Sequence, residues 1–253
     1  MLKKTTAFAV LSLLIAATVW AQCPAGTTAV IADRTNTLYE DATGMLSNGS
    51  GEYIFSGRTA QGGDEIRRGL VHFDVRSAVM EGSTIARATL QMIVNQPQNN
   101  GTHATSLHRV TQDWGAGASQ GGMGEGGGGQ AMTNDATWLN TFFNTGTWTN
   151  PGGDFDANGS ASIMVAGSAG TYSWTSLAVT ADAQSWLDVP AENFGWLIQG
   201  NESSSTTAHR FGSALNEGSE PTLCLEVCPD MTDCTTFSDG FESGDVTAWS
   251  GTS

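Results

Sequence analysis

Apolar residues along this chain come in short runs, separated by turns of glycine, asparagine, aspartate and proline. Strand-like runs fall at Thr27–Asp33, Glu52–Gly57, Ile66–Val75, Thr84–Asn95 and His103–Val110, then at Ser173–Leu177, Phe194–Gln199, Ala208–Ser213 and Pro221–Val227. Within Thr84–Asn95 the residues Ala88, Leu90, Met92 and Val94 alternate with polar ones. A period of two places one face inward and one outward, as in a half-buried strand. Only the stretch around 179–188 has a helical period. Val179, Ala183, Trp186 and Leu187 there stand at i, i+4, i+7 and i+8. This predicts a short amphipathic helix across one end of the strands, with Thr180 available as its cap and Trp186 as a packing anchor. The expected class is all-β, an antiparallel β-sandwich of two sheets with one short helix near 179–188.

The ends read differently. Lys3 and Lys4 precede an apolar run from Ala7 to Val19, and a small residue, Ala21, closes it. The run predicts a secretory signal peptide over 1–21 and is too short for a membrane span. Cys23 is preceded by Gln22, which is not the small residue that lipid modification of a cysteine requires. After Val227 the chain turns acidic and poor in aliphatic residues, so 229–253 reads as a tail on a single domain spanning 22–228. Removing Lys3 and Lys4 leaves 8 basic residues, all arginine, against 25 acidic ones, a net charge of about −17. That field disfavours nucleic acid and anionic membranes as partners; it leaves glycans, neutral or cationic partners and divalent metals.

The four cysteines, Cys23, Cys224, Cys228 and Cys234, are expected as disulfides in a secreted chain. Three pairings are possible, and the sequence does not choose among them. The hypothesis carried forward joins Cys23 to Cys224, from the first strand to the last, and Cys228 to Cys234 in a small C-terminal loop.

Seven segments occur in one order: "RRGLVHFDV", "IARATLQMIV", "LHRVTQDW", "ATW", "WTNPGGDFD", "VTADAQSWLDVPAENFGWLIQG" and "HRFGSALNEGSEPTLCLEV". Together they resemble the DNRLRE-domain family, extracellular modules related to the disaggregatase-type repeat, over roughly 28–227. The resemblance implies a β-jelly roll acting as an accessory or carbohydrate-binding module of secreted and surface proteins, and it does not imply catalysis. It also implies that Trp114, Trp138 and Trp186 are core positions. The terminal "DGFESGDVTAWS" resembles a short ending common on secreted proteobacterial proteins.

Candidate chemistry is sparse. The glycine run of "QGGMGEGGGGQAM" has no lysine, and none follows Lys4 anywhere in the chain, so a phosphate-binding loop is ruled out. The segment 115–131 reads as a flexible insertion at one rim of the sandwich. Asp154, Asp156 and Asn158 stand at alternate positions before Gly159, like the first half of a calcium loop, but Val165 occupies the position of the bidentate glutamate. The choice is between a polar turn and a calcium site completed by other loops. His72, His103, His108 and His209 show no metal-ligating spacing and are expected to be surface or hydrogen-bonded histidines. No nucleophile elbow is present, so the chain is not expected to be an enzyme. A polysaccharide hydrolase or lyase would need two carboxylates brought together by the fold. Sugar rings stack on aromatic faces while planar polar groups take their hydroxyls. Trp148, Tyr172 and Trp174, with Arg109 as donor, are accordingly the candidate carbohydrate-binding residues. The function expected is a secreted module that binds polysaccharide or an extracellular matrix component. The alternative is an adhesion protein working through protein contacts.

Overall fold

A computed structural model describes residues 23–60, 63, 65–96 and 101–228. The expected signal peptide, the C-terminal tail and Cys234 lie outside the described residues. Thirteen strands follow in chain order: β1 Thr28–Ile31, β2 Arg34–Tyr39, β3 Leu46–Ser47, β4 Tyr53–Arg58, β5 Ile66–His72, β6 Thr84–Val94, β7 His103–Arg109, β8 Gly129–Gln130, β9 Ala161–Val165, β10 Gly170–Thr175, β11 Trp196–Gln199, β12 His209–Gly212 and β13 Thr222–Cys228. One α-helix, α1, spans Leu177–Asp188. Every strand pairing is antiparallel.

Eight of the strands, taken in chain order as β1, β5, β6, β7, β9, β10, β11 and β13, make up the sandwich. In one sheet β13 lies between β1 and β6, and β10 pairs with the far edge of β6, giving the order first, eighth, third, sixth. In the other, β11 lies between β5 and β7, and β9 follows β7, giving second, seventh, fourth, fifth. That order is the double Greek key of a jelly roll. At one corner β12 pairs with both β6 and β4, and β4 with β5, which joins the two sheets.

The space between the sheets is filled by the inward residues of both. Ala88, Leu90, Met92 and Val94 of β6 meet Val71, Leu107, Trp174, Trp196, Ile198 and Phe211, all fully buried. Helix α1 closes one end of this core. Its buried residues are Val179, Ala183, Trp186 and Leu187, the four that the helical period marks, and the Trp186 ring lies 4.4 Å from that of Trp196. The cap differs from expectation. Ser176 Oγ accepts the Val179 N–H, whereas Thr180, one turn in, accepts the Ala88 N–H and so ties the helix to β6. The hydrophobic effect at about 25 cal/mol per Å² makes these tryptophans the largest single contributors to the core.

The β5/β11 sheet has a second buried face. Leu70 and Leu197 point away from Val71, Trp196 and Ile198 and form a separate cluster with Leu38, Val110, Trp114, Ala136 and Trp148. Its cover is the chain between β7 and β9. This explains why "GLVHF" and "WLIQ" read as continuous apolar runs, as strands buried on both faces do.

The cover includes the glycine-rich segment, and there the expectation of a flexible insertion is corrected. Gly129–Gln130 pair with β3, and Glu125 is buried. Its carboxylate accepts the N–H groups of Glu52 and Tyr53 at 3.0 and 2.9 Å and the Asn48 side-chain amide at 2.8 Å. Tyr39 Oη donates to the Glu125 carbonyl, and Arg67 Nε donates to that of Gly126. The glycines serve close approach: a Cβ on Gly129 would stand 2.1 Å from the Gln120 carbonyl oxygen, and one on Gly115 would stand 1.9 Å from that of Asn134.

Strand β2 is not among the expected strands, because three of its five buried residues are polar. Thr35, Asn36 and Thr37 are all buried. Asn36 Nδ2 donates to the carbonyls of Gly115 and Ala136, and its Oδ1 accepts from Asn48 N and Ser47 Oγ. The cover supplies the two carbonyls and β3 with the residue after it the two donors, so the desolvation of this polar stretch is offset by hydrogen bonds.

Cys23 and Cys224 form a disulfide, as expected. Such a bond is a feature of oxidising compartments. The second expected pairing, Cys228 with Cys234, falls on a residue outside those described. Among the described residues no helix is long and apolar enough to cross a membrane.

Candidate functional site

The four candidate carbohydrate-binding residues do not form one face. Trp174, on β10, is fully buried between the sheets, with its Nε1 donating to the Thr105 carbonyl and its ring edge-on to Phe211. Trp148 is buried in the second cluster, and its Nε1 donates to the Thr137 carbonyl. Both are packing residues, which corrects their reading as stacking platforms. Their polar neighbours in sequence belong to opposite faces of a strand or to backbone turns, so local polarity misrepresents where the rings point. Tyr172 is half-buried at the rim of the main core, and its hydroxyl bonds with Ser168 and with the carbonyl of Ala166. Of the three tryptophans expected in the core, Trp114 and Trp186 are fully buried, while Trp138 is half-buried under the guanidinium of Arg68 at 5.0 Å.

Arg109 does line a groove. At the end of β7, with Val110, Thr111, Glu192 and Phe194, it borders a cavity of about 350 Å³. Its Nη2 donates to Ser185 Oγ at 3.0 Å, and its guanidinium lies 4.0 Å from carboxylate oxygens of Asp182 and of Glu192. Thr111 also borders a second cavity, of about 450 Å³, with Arg68, Asn150, Gly153, Asp154 and Phe155. The two cavities adjoin at Thr111, where the chain leaves β7 for the cover, and together they make up the candidate furrow.

The furrow has few free charges. Arg68 forms a two-pronged ion pair with Glu202 at 2.7 and 2.9 Å, donates to the Gly152 carbonyl, and lies over both Trp138 and Phe155. Asp154 is buried and saturated. Its Oδ1 accepts the backbone and side-chain N–H groups of Asn150, and its Oδ2 accepts those of Thr149 N and Gln112 Nε2. Asp182, near Arg109, accepts from Ser160 Oγ and Trp196 Nε1 on one oxygen.

These bonds correct the calcium reading of Asp154, Asp156 and Asn158. Asp154 closes its own loop with four N–H donors. Asp156 turns outward and accepts the N–H of Asn158 in a local turn. Calcium needs six to eight oxygens, and among the described residues no three His, Cys, Asp or Glu side chains come together as a metal site.

Three of the four histidines are hydrogen-bonded as expected, His103 among them, with its Nδ1 3.4 Å from Asn201 Nδ2. His72 Nδ1 meets Asp33 at 2.6 Å, and His108 bonds to the Asp156 carbonyl and to Ser106 Oγ. His209 is different, being fully buried with neither ring nitrogen hydrogen-bonded. No sequence signal marks it, because "AHRF" alternates like any strand.

Compared with family models and with curated proteins, the chain finds no match.

Proposed function

We propose that the protein is a secreted, non-catalytic jelly-roll module of DNRLRE type that binds polysaccharide or an extracellular matrix glycan along the furrow between β7 and its cover. The observation that carries the reading is the composition of that furrow. Arg109, Asn150 and Thr111 offer planar and hydroxyl hydrogen-bonding groups beside the half-buried ring of Phe155. Binding sites for neutral polar ligands combine a few convergent polar groups with apolar surface in this way. Arg68 is paired with Glu202, and the Asp154 carboxylate is taken up by four uncharged N–H donors, so the furrow favours uncharged hydroxyl groups over anions. Asp154, spent on loop closure, is a poor partner for a hydrolytic pair.

A glycan array probed with the chain from Gln22 onward tests this, with Arg109→Ala and Phe155→Ala as variants. The expected result is binding to at least one neutral polysaccharide, weakened tenfold or more in each variant and indifferent to calcium. Failure to bind any polysaccharide would hand the lead to the adhesion reading, which has its own support. Thr171, Ser173 and Thr175 are exposed on β10, an edge strand without a charged residue, beside Thr89, Gln91 and Ile93 of β6. Uncharged edges of this kind are open to pairing with another chain.

A further inference from the structure

Both halves of the furrow carry a charge imbalance that the recognition of hydroxyl groups leaves unused. In the first cavity the guanidinium of Arg109 stands 4.0 Å from carboxylate oxygens of both Asp182 and Glu192, so two carboxylates face one cation. In the second, Arg68 is spent on Glu202 at 2.7 Å, and Asp154 is left with the uncharged N–H groups of Gln112, Thr149 and Asn150. Neutral donors hold a carboxylate in place without cancelling its charge. Each cavity therefore has one carboxylate more than it has guanidinium groups. Two of these acids are sheltered from salt, since the Asp182 side chain is 13% exposed and Asp154 is 8% exposed. Charges sheltered in this way are screened much less than those on the open surface.

Building on the furrow as the glycan site, we propose that its ligand is a polysaccharide carrying free amino groups, with one protonated amine set against the excess carboxylate of each cavity. Because the cavities adjoin at Thr111, a chain laid along the furrow passes both excess charges in turn. A cleft lined with an excess of one sign focuses the field between its walls and concentrates ligands of the other sign. The rest of the chain adds to that field, with 8 arginines against 25 acidic residues once Lys3 and Lys4 are set aside. Arg109 does not oppose the amine, because two carboxylates flank it, and its guanidinium keeps N–H groups for the ligand's hydroxyls beyond the one given to Ser185. The half-buried ring of Phe155 supplies the apolar face for a sugar ring. A polyuronate or a sulfated glycan would meet Glu192 and Asp154 as like charges, so the same arrangement rejects acidic polysaccharides.

The test compares two oligomers of one backbone, a β-1,4-linked glucosamine tetramer and its fully N-acetylated form, by calorimetric titration into the chain from Gln22 onward at about pH 5.5. The amine-bearing tetramer should bind about tenfold more tightly at low salt, and about 0.5 M NaCl should remove most of that advantage. Glu192 is 68% exposed, so Glu192→Gln leaves the fold intact; it should weaken the amine-bearing tetramer about threefold and leave the acetylated one unchanged. Glu226→Gln, the same loss of charge on the other sheet, should change neither, and Phe155→Ala should weaken both. Equal affinities for the two tetramers would overturn the amine preference and leave the furrow as a site for neutral glycans. An amine preference that survives Phe155→Ala and Glu192→Gln, or that falls as much with Glu226→Gln, would belong to the acidic surface at large and overturn it too. Failure of both tetramers to bind overturns it as well, whereas only a glycan array without any binder removes the furrow itself as a glycan site.

Discussion

Single residues in this protein are best understood by asking what each buried polar atom bonds to. The Asn36 amide N–H groups meet two carbonyls, the carboxylates of Asp154 and Glu125 accept N–H donors, and the His209 ring nitrogens have no such partner. Burial first, then the nearby His103, lower the His209 imidazole from 6.5 to about 4, against an opposing contribution from the Gly101 backbone. The sign of the consequence follows. Between those two values the unfolded chain takes up a proton that the folded one refuses, so stability is complete above pH 6.5 and falls as the pH drops toward 4. Denaturant midpoints at pH 7.5 and 4.5 should therefore differ more for the native chain than for His209→Leu. The carboxylates contribute equally to both proteins, so the difference between them isolates the histidine. Identical pH dependences would show that His209 is not the buried neutral base described here.

At the scale of elements, the segment that matters most is the cover between β7 and β9, which turns one sheet into a layer buried on both sides. Its hold depends on Glu125, which sits at φ 60° in a run of glycines that would take that conformation more easily. A side chain at such a position is there for its carboxylate, which binds the start of β4 to the cover. Glu125→Ala should cost about 3 kcal/mol, because two backbone N–H groups and the Asn48 amide lose a charged acceptor. Glu125→Gly should be no better despite its relaxed backbone, and in both variants hydrogen exchange over 115–131 should rise selectively. Unchanged exchange would mean that the segment is held by other contacts. The alternation of β6, the spacing of Val179, Ala183, Trp186 and Leu187, and the order of the β-runs were all legible in the sequence, since each reports one buried face. Illegible were β2, where Thr35, Asn36 and Thr37 are buried beside Leu38 and Tyr39, and the fate of Trp148 and Trp174, whose neighbours in sequence are polar although their rings are enclosed. The glycine run misled for a related reason. Glycine composition signals slack when the backbone is free, but here it signals close packing, and only the partners 80 residues or so away distinguish the two.

At the scale of the whole fold, a jelly roll places its first and last strands side by side, and among the described residues β1 has its ladder with β13 alone. The disulfide fastens that pair, because Ala29 lies opposite Cys224 and Cys23 reaches back to it over a sequence separation of 201 residues. On the chain-entropy model, a loop of that length removes enough freedom from the unfolded chain to stabilise the fold by about 5 kcal/mol. The core itself does not need this help: with both faces of one sheet buried and five of the tryptophans at its centre or beneath its cover, the domain should fold without it. Two outcomes are thus separable. The double variant Cys23→Ser/Cys224→Ser should retain the native circular dichroism and the glycan binding of the furrow, which lies on the other sheet. Its guanidinium unfolding midpoint should fall by an amount worth about 3–5 kcal/mol, with exchange rising first along Thr28–Ile31. A loss below 1 kcal/mol would place the closure of the barrel end in the β1–β13 ladder alone. Loss of the fold altogether would mean that the two sheets come together only after the chain ends are joined, making oxidation a step of folding rather than a reinforcement added to it.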